Sequence, residues 1–258
     1  MVELPWGASV QVQLVENVGA SIIYYGIFDK IVPEVIWRLL EPGETGVDIG
    51  ANIGQNTSAM AFKSGTQGRV IAFEPHPVTF SSLRRNVASW QGKNCAPIDL
   101  NNVALGEADQ EAVLASTGYL SGASLTNQGE GIKVLVRRLD DFAKNLTIGV
   151  CKIDVEGHEL GVLKGAIDTL TRRAIRDIVF EDFNSKPSPV TEFLVQHGFT
   201  IFELHDKLMK PILAPMDLSG AVSPPGFSFN YLATLDPERT RSKFTAGGWH
   251  CLTCRRHN

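Results

Sequence analysis

The segment from Lys152 to Glu159 carries several acid–base side chains, with Asp154, Glu156 and Glu159 beside His158. Ionisable groups this close perturb one another's pKa, which is typical of sites for proton transfer or metal binding. We predict His158 as a general base, because an imidazole titrates near neutral pH. Asp154 and Glu156 are predicted to orient His158 or the substrate. A structural role for His158 and Glu159 at a helix start stays open. Metal assistance by this carboxylate cluster also stays open, although no spacing here dictates a metal site.

A second motif begins at Asp48, where a short apolar segment ends in an acid and a glycine turn. Gly50 permits a sharp turn, and Gly54 lets a helix start approach a ligand closely. A dinucleotide-binding fingerprint would need glycines where the chain has Asn52 and Gln55, and the lysine of a phosphate-binding P-loop is absent. An acid beside this turn therefore favours a ligand with a cationic amino-acid group, which Asp48 would hold directly or through water.

A third signal is Glu74, which ends the next predicted strand twenty residues after Gly54. A carboxylate at that place can accept both hydroxyl protons of a ribose. Together the two acids describe a nucleoside with an amino-acid tail, a description that S-adenosylmethionine fits. Asn102, after the third strand, is expected near the adenine.

The predicted site residues fall into two sets. The cofactor-binding set is Asp48, Gly50, Asn52, Gly54, Asn56, Glu74, Pro75, Asn102 and Asp154. The catalytic set is His158, Asp154 and Glu156. Weaker candidates to line the site are Ser121, Ser124 and Glu181. No metal ligand is predicted.

The elements that would position these residues alternate along the chain. Strands are predicted over 45–50, 69–74, 96–100, 150–155, 178–183, 199–204 and 227–235, from short apolar runs. Helices are predicted over 32–40, 55–63, 80–90, 139–144, 159–170 and 189–197, from apolar residues at helical spacing and from caps such as Ser188-Pro189. This alternation predicts a doubly wound, mostly parallel α/β sheet of seven strands. Because no helix separates the last two strands, the last strand is predicted to be antiparallel.

The predicted organisation has one main domain over 30–238, preceded by a β cap or extension over 1–29 and followed by a tail over 239–258. Within the main domain, 109–137 is predicted to be an insertion, and the proline-rich loop 205–226 is expected beside the acceptor pocket. His250, Cys251, Cys254 and His257 resemble half a zinc site. One short segment rarely supplies four ligands, so a loose tail is the favoured interpretation.

Composition narrows the function classes. The 258 residues are 43% hydrophobic and 20% charged, which excludes wholesale disorder. A formal net charge of −4 offers no attraction to nucleic acid. No apolar run reaches the ~20 residues of a membrane span, and we do not expect Met1–Pro5 to begin a signal peptide. Four cysteines form no disulfide framework. We therefore expect a cytoplasmic protein with no nucleic-acid or membrane partner; a homo-oligomer is compatible with the sequence.

Several segments, in order and with their spacing intact, resemble the FkbM-type methyltransferases over roughly residues 20–205. They are Asp48-Ile-Gly-Ala-Asn-Ile-Gly54, Phe73-Glu-Pro-His-Pro77, Asn102-Val-Ala-Leu-Gly106, Leu139-Asp-Asp141, Lys152-Ile-Asp-Val-Glu-Gly-His-Glu159 and Val162-Leu-Lys-Gly165. The segment from Lys152 to Glu159 is the most specific part of the resemblance.

The resemblance implies a class I methyltransferase fold, S-adenosylmethionine as methyl donor, and O-methylation of a sugar, a polyketide or another secondary metabolite. The expected partner is thus a small-molecule or glycan acceptor. Two other functions stay open. A nicotinamide-dependent oxidoreductase would use a similar sheet, although Asn52 and Gln55 argue against it. A non-catalytic binding module with a methyltransferase-like fold is the other.

Overall fold

The computed structural model describes residues 1–14, 16–115, 124–126, 130–184, 186–216 and 229–254. The strands within these residues are β1 (Val2–Glu3), β2 (Ser9–Val10), β3 (Thr45–Ile49), β4 (Arg69–Phe73), β5 (Ile98–Asn101), β6 (Ala104–Leu105), β7 (Gln110–Ala115), β8 (Ser124–Thr126), β9 (Ile132–Arg137), β10 (Ile148–Ile153), β11 (Ile175–Glu181), β12 (Thr200–Asp206), β13 (Pro211–Pro215) and β14 (Asn230–Thr234). The helices are α1 (Asn17–Tyr25), α2 (Ile31–Leu39), α3 (Gln55–Ser64), α4 (Pro77–Ala88), α5 (Leu139–Phe142), α6 (Glu159–Lys164), α7 (Ile167–Thr171), α8 (Pro189–Gln196), α9 (Pro237–Lys243) and α10 (His250–Thr253).

The main sheet has the strand order β13-β12-β14-β11-β10-β3-β4-β5. Neighbours from β11 to β5 are parallel, whereas β14 runs antiparallel to both β11 and β12. This confirms the predicted doubly wound α/β fold and its antiparallel last strand. The predicted count of seven strands missed β13, which pairs antiparallel with β12 inside the predicted loop 205–226. Its end residues Pro211 and Pro215 suggested a loop, but an edge strand tolerates proline.

The strand order reverses at β3, which lies between β10 and β4. From β3 the chain continues to β4 and β5 on one side, and later fills β10 and β11 on the other. In such sheets a crevice opens at this switch point, outside the carboxyl ends of the strands. The predicted motifs after β3, β4 and β10 therefore meet at one edge of the sheet.

The sheet separates two apolar layers, because successive strand residues point to opposite faces. Val150 and Val179 pack into one cluster with side chains of α2 and α3. Their neighbours Cys151 and Ile178 pack into a second cluster with side chains of α6, α7 and α8. The helices thus cover both faces and fix the strand ends relative to one another.

Two predicted elements differ in detail. The region 109–137, predicted to be an insertion, contributes to a separate four-stranded sheet with the order β6-β9-β7-β8. The single helix predicted over 159–170 is wrong, because the chain breaks into α6 and α7 at Gly165. At Gly165 the backbone passes so close to the Gly106 carbonyl that a Cβ would overlap it.

The two chain ends also depart from expectation. Within the predicted β cap, β1 and β2 form a short hairpin, but α1 follows where no helix was predicted. The expectation of a loose tail is wrong for 239–254, where α10 packs on α2 and Cys251 is fully buried. The buried pair Glu34–Arg38 holds this segment. Arg38 donates hydrogen bonds to three carbonyls of the tail, and Glu34 accepts from the backbone of Cys251.

Among the described residues, no helix combines the length and the apolar character that crossing a membrane would require.

Candidate functional site

A cavity of about 400 Å³ lies at the carboxyl edge of the sheet, beside the ends of β3, β4, β10 and β11. This volume is within the usual range for small-molecule sites. The sequence-predicted residues that line it are Gly50, Asn52, Asn56, Glu74, Pro75, Asp154, Glu156 and Glu181. The motifs after three separate strands therefore converge on one cavity.

The turn after β3 has a conformation that requires glycine. Gly50 has φ +78°, and a Cβ there would overlap the carbonyl oxygen of Asp154. Its backbone N–H donates to the Phe73 carbonyl at 3.0 Å. Gly50 thus lets the chain segments after β3 and β10 approach each other at the cavity wall.

Glu74 presents a fixed carboxylate at the end of β4. Its Oε2 accepts the Asn52 backbone N–H at 2.9 Å, and its Oε1 accepts the His76 backbone N–H at 2.9 Å. Burial raises the pKa of Glu74 to about 7, although these backbone donors act in the opposite direction. The carboxylate keeps further lone pairs for a ligand, because each oxygen can accept more than one hydrogen bond.

Asp48 is fully buried and does not line the cavity. It accepts a hydrogen bond from Thr57 Oγ1 at 2.5 Å, and its Oδ1 lies 3.4 Å from Lys152 Nζ. Lys152 also lies 3.5 Å from Asp154 and donates to the Gly50 carbonyl at 2.5 Å. Asp48 therefore positions the turn through Lys152, which does line the cavity and for which no role was predicted from the sequence.

The charge of Lys152 is held by its partners. Burial alone would lower the pKa of Lys152, but the Asp154 and Asp48 carboxylates raise it above its usual value. A lysine inside the buried run of β10 must find acids, since an unpaired charge there would be costly. That requirement was the available signal for its role.

Asn102 and Gly54 act behind the cavity wall. Asn102 Nδ2 donates to the backbone carbonyls of Glu74 and Pro75, at 2.8 and 3.0 Å. Gly54 has φ +100°, and a Cβ there would come within 2.7 Å of Leu83. Neither lines the cavity. The geometry thus gives Asn102 a place in the turn after β4 and Gly54 a place in packing α3 against α4.

His158 is not brought to the cavity wall either. Its ring packs over two small residues, since a Cβ on Gly161 would lie 2.5 Å from Nε2 and one on Gly106 would lie 3.2 Å from it. Burial lowers the pKa of His158. The residue precedes α6, so the structural alternative at a helix start describes its surroundings.

Four carboxylates face one another at the cavity: Asp29, Asp154, Glu156 and Glu181. Burial raises the pKa of Glu181 to about 8, with further contributions from the other three acids and an opposing one from Lys152. Burial and the neighbouring acids Asp154 and Glu159 also raise the pKa of Glu156. Among the described residues, no group of three or more His, Cys, Asp or Glu side chains is arranged to hold a metal ion.

The segment before α2 supplies a part of the cavity wall that was not predicted from the sequence. Asp29 accepts a hydrogen bond from Asn230 Nδ2 at 2.8 Å. Phe28 exchanges two hydrogen bonds with the Gln55 side chain, at 2.8 and 2.7 Å. All four residues line the cavity, as does Phe183. No local spacing indicated Asp29 or Phe28, because they reach the site through tertiary packing across the sheet edge.

The remaining candidates are less informative. Ser121 lies outside the described residues, and Ser124 begins β8. The described part of the predicted acceptor loop, 205–216, does not line the cavity, and 217–228 lies outside the described residues. From the predicted insertion, Leu114 and Leu125 do line the cavity.

Comparison with known proteins places this chain in a family. The model of the methyltransferase FkbM domain matches residues 48–205. Methyltransferase 1 of Beauveria bassiana is 30% identical over 200 residues, which are 67% of this chain and 76% of that protein. The 31-O-demethyl-FK506 methyltransferase FkbM of Streptomyces tacrolimicus is 31% identical over 203 residues, covering 66% of this chain and 77% of that one. The hexuronic acid methyltransferase AglP of Haloferax volcanii is 28% identical, covering 62% of this chain and 66% of that one. The matched region begins at Asp48 and includes the cavity residues that follow β3, β4, β10 and β11. The chain therefore belongs to the FkbM family of methyltransferases.

Proposed function

We propose that this protein transfers a methyl group from S-adenosylmethionine to a hydroxyl oxygen of a small-molecule or glycan acceptor. The observation that carries the proposal is the convergence of Gly50, Glu74 and Asp154 on one cavity at the switch point of the sheet. Acids and a glycine turn at this place, without a phosphate-binding lysine motif, suit a nucleoside with a cationic tail rather than a dinucleotide.

The residues present fit the cofactor. Glu74 would accept the ribose hydroxyls, because its carboxylate is already oriented by the Asn52 and His76 backbone. The turn at Gly50 and the carboxylate of Asp154 would hold the amino-acid end. Apolar side chains such as Val103 and Leu105 line another part of the wall and suit an adenine ring. When bound, the cofactor supplies a methyl group activated by a sulfonium.

The protein's task is then to orient the acceptor and exclude water, which is worth ~7–11 kcal/mol in favourable cases. Asp154 and Glu156 line the cavity, and we propose that they position the acceptor hydroxyl. Lys152 fixes Asp154 through their 3.5 Å ion pair. The predicted role of His158 as base has no support in the geometry, because its ring packs against Gly106 and Gly161.

The residues at the cavity mouth and the names of the relatives support the proposed class of acceptor. Phe183 is 60% exposed and packs on Phe229 with ring centroids 4.8 Å apart. An aromatic pair beside carboxylates suits a ring with an apolar face and several hydroxyls. Two relatives carry names that specify a demethylated FK506 and a hexuronic acid as substrates. We propose that the acceptor of this protein is likewise a hydroxyl oxygen on a sugar or a polyketide.

Calorimetric titration with S-adenosylhomocysteine, with NADH in parallel, tests the cofactor. We expect binding of S-adenosylhomocysteine alone, weakened at least tenfold by Glu74→Ala and unchanged in Glu111→Gln on β7. Binding of NADH alone would make the protein an oxidoreductase. If neither ligand bound, the binding-module alternative would replace the enzyme.

An acceptor screen follows with S-adenosylmethionine and a panel of a neutral glucoside, a glucuronide and a hydroxylated macrolide. Mass spectrometry should detect the gain of one methylene unit. Release of the new methyl group by an O-demethylating reagent distinguishes oxygen from nitrogen as the acceptor atom. Methylation on nitrogen would contradict the proposed chemistry while leaving the cofactor assignment intact.

A further inference from the structure

Glu181 is the last residue of β11, and its neighbours across the sheet also face the cavity. In the parallel pairing, Ile153 lies opposite Phe180, so Asp154 and Glu181 follow at the same level. On the other side Glu181 lies opposite Asn230 in the pairing of β11 with β14. Asp154, Glu181 and Asn230 all line the cavity. Glu181 is therefore held by a strand end at the centre of this edge, rather than by a loop.

The other acids of the cavity already have structural partners or lie further out. Asp154 is ion-paired with Lys152 at 3.5 Å. Asp29 accepts hydrogen bonds from the Asn230 side chain at 2.8 Å and from the Ile31 backbone at 3.4 Å. Glu156 is exposed and has φ +53° in the segment after β10.

Glu181 differs from all three of these acids. It is half-buried, and among the described residues its carboxylate takes part in no hydrogen bond and no ion pair. The charged groups that face it are Asp154 and Glu156 from the segment after β10, Asp29 from the segment before α2, and Lys152 from β10. Three of these four are acids. A carboxyl group in such surroundings binds a proton more readily than an exposed one.

We propose that Glu181 is the general base that accepts the proton of the acceptor hydroxyl during methyl transfer. This inference rests on the proposed function. In the step, the acceptor oxygen forms a bond to the methyl carbon while the bond from that carbon to sulfur breaks and its electron pair stays on sulfur. The hydroxyl proton passes to a Glu181 carboxylate oxygen. The sulfonium becomes a neutral thioether and Glu181 becomes neutral, so charge and atoms balance.

The chemistry requires a base of this kind. An ordinary carboxylate is too weak to take a proton from an alcohol efficiently, whereas one whose pKa lies near the working pH is suited to the task. Burial and the three neighbouring acids bring Glu181 to that range, with a pKa of about 8. Proton loss from neutral Glu181 before each turnover would then set the lower pH limit of the reaction.

The first test needs no acceptor and compares urea denaturation of the wild type with Glu181→Gln. Because the folded-state pKa of Glu181 is about 8 and its reference value is 4.5, the folded state binds the extra proton between these values. The wild type should therefore lose stability relative to Glu181→Gln as the pH rises through this window. The urea midpoint of Glu181→Gln should exceed that of wild type more at pH 8 than at pH 5. Glu111→Gln, an exposed change on β7, should show no such trend. A difference that is the same at both pH values overturns the proposal.

The second test uses S-adenosylhomocysteine and the panel acceptor that is methylated fastest. Glu181→Gln should lower kcat by about 100-fold or more, while S-adenosylhomocysteine affinity stays within about twofold. The wild-type rate should rise with pH and level off above the pKa of Glu181, and Glu181→Gln should lack this rise. Wild-type rates in Glu181→Gln would overturn the base role. Failure of S-adenosylhomocysteine to bind the wild type would instead contradict the proposed function. The denaturation experiment does not depend on cofactor binding, so the two failures can be distinguished.

Discussion

The two ends of β11 carry carboxylates that the fold treats in opposite ways. At the amino end Asp177 is fully buried and meets Arg176 at 2.9 Å, Arg239 at 3.4 Å and Thr234 at 2.6 Å. At the carboxyl end Glu181 faces three other acids, with Lys152 as the cation nearby. The difference indicates that the amino edge of the sheet stabilises the protein, whereas the carboxyl edge holds the candidate functional site.

The same contrast extends along both edges of the sheet. At the amino edge burial alone would raise the pKa of Glu41 and of Glu44. Lys243 and Arg239 lower the pKa of Glu41 below its usual value, and Arg176 and Arg239 do the same for Glu44. Burial still raises the pKa of Asp177, although Thr234, Arg176 and Arg239 act in the opposite direction. At the carboxyl edge the pKa of Glu74, Glu156 and Glu181 is raised. The two edges thus differ in how fully cations offset burial, and several acids with raised pKa values around one cavity are typical of a functional site.

Breaking the amino-edge network should have the largest effect on stability. Arg176 also pairs with Glu44, so Arg176→Ala leaves two acids without their main cation, one of them buried. We expect a loss of about 3 kcal/mol in the free energy of unfolding, measured by urea denaturation. Arg69→Ala breaks the half-exposed pair with Asp99 and serves as control, with a loss of at most about 1 kcal/mol. Equal losses in the free energy of unfolding for the two variants would contradict the claim that the amino-edge network contributes more stability than a surface ion pair.

The two glycines that flank β3 sharpen the comparison between edges. Gly43 at the amino edge has φ +85° with open space around its Cβ position, whereas a Cβ on Gly50 at the carboxyl edge would overlap Asp154. Gly43→Ala should cost about 1 kcal/mol of stability from backbone strain alone. Gly50→Ala should cost about 2 kcal/mol and reduce S-adenosylhomocysteine affinity at least tenfold. Calorimetry and denaturation measure both. Unchanged S-adenosylhomocysteine affinity in Gly50→Ala would show that the turn at Gly50 does not contribute to cofactor binding.

The features of the fold that depend on local residue spacing were predictable from the sequence. Most strands and helices, and the motifs after β3, β4 and β10, could be predicted because hydrophobic periodicity and glycine turns are local signals. Side chains that reach the cavity from distant segments of the chain could not be predicted in this way. Asp29 is an example, because it lies in the segment before α2. Asp48 and His158 were assigned to a ligand by their position in motifs. In this structure neither side chain lines the cavity, because the position of a residue at a strand end does not specify the direction of its side chain.

Glu74 offers a pH test of the carboxyl edge. Its pKa of about 7 means that the free protein must give up a proton to present a full carboxylate to ribose hydroxyls. Affinity for S-adenosylhomocysteine should therefore increase with pH up to about 7 and level off above it, by at most tenfold per unit. Glu74→Gln should bind more weakly and without this pH dependence, as calorimetry between pH 5.5 and 8 can measure. A flat wild-type profile would show that the proton on Glu74 is not linked to binding.

His158 gives the smallest expected effect and the sharpest contrast with Glu181. Both residues end or follow strands at the carboxyl edge, but the His158 ring lies over Gly106 and Gly161 outside the cavity wall. His158→Ala should therefore lower kcat by no more than about threefold, while the lost packing costs about 1 kcal/mol of stability. Rates with the best panel acceptor and urea denaturation measure the two effects. A tenfold or larger fall in kcat, at unchanged S-adenosylhomocysteine affinity, would return the base role to the histidine that the sequence motif indicated.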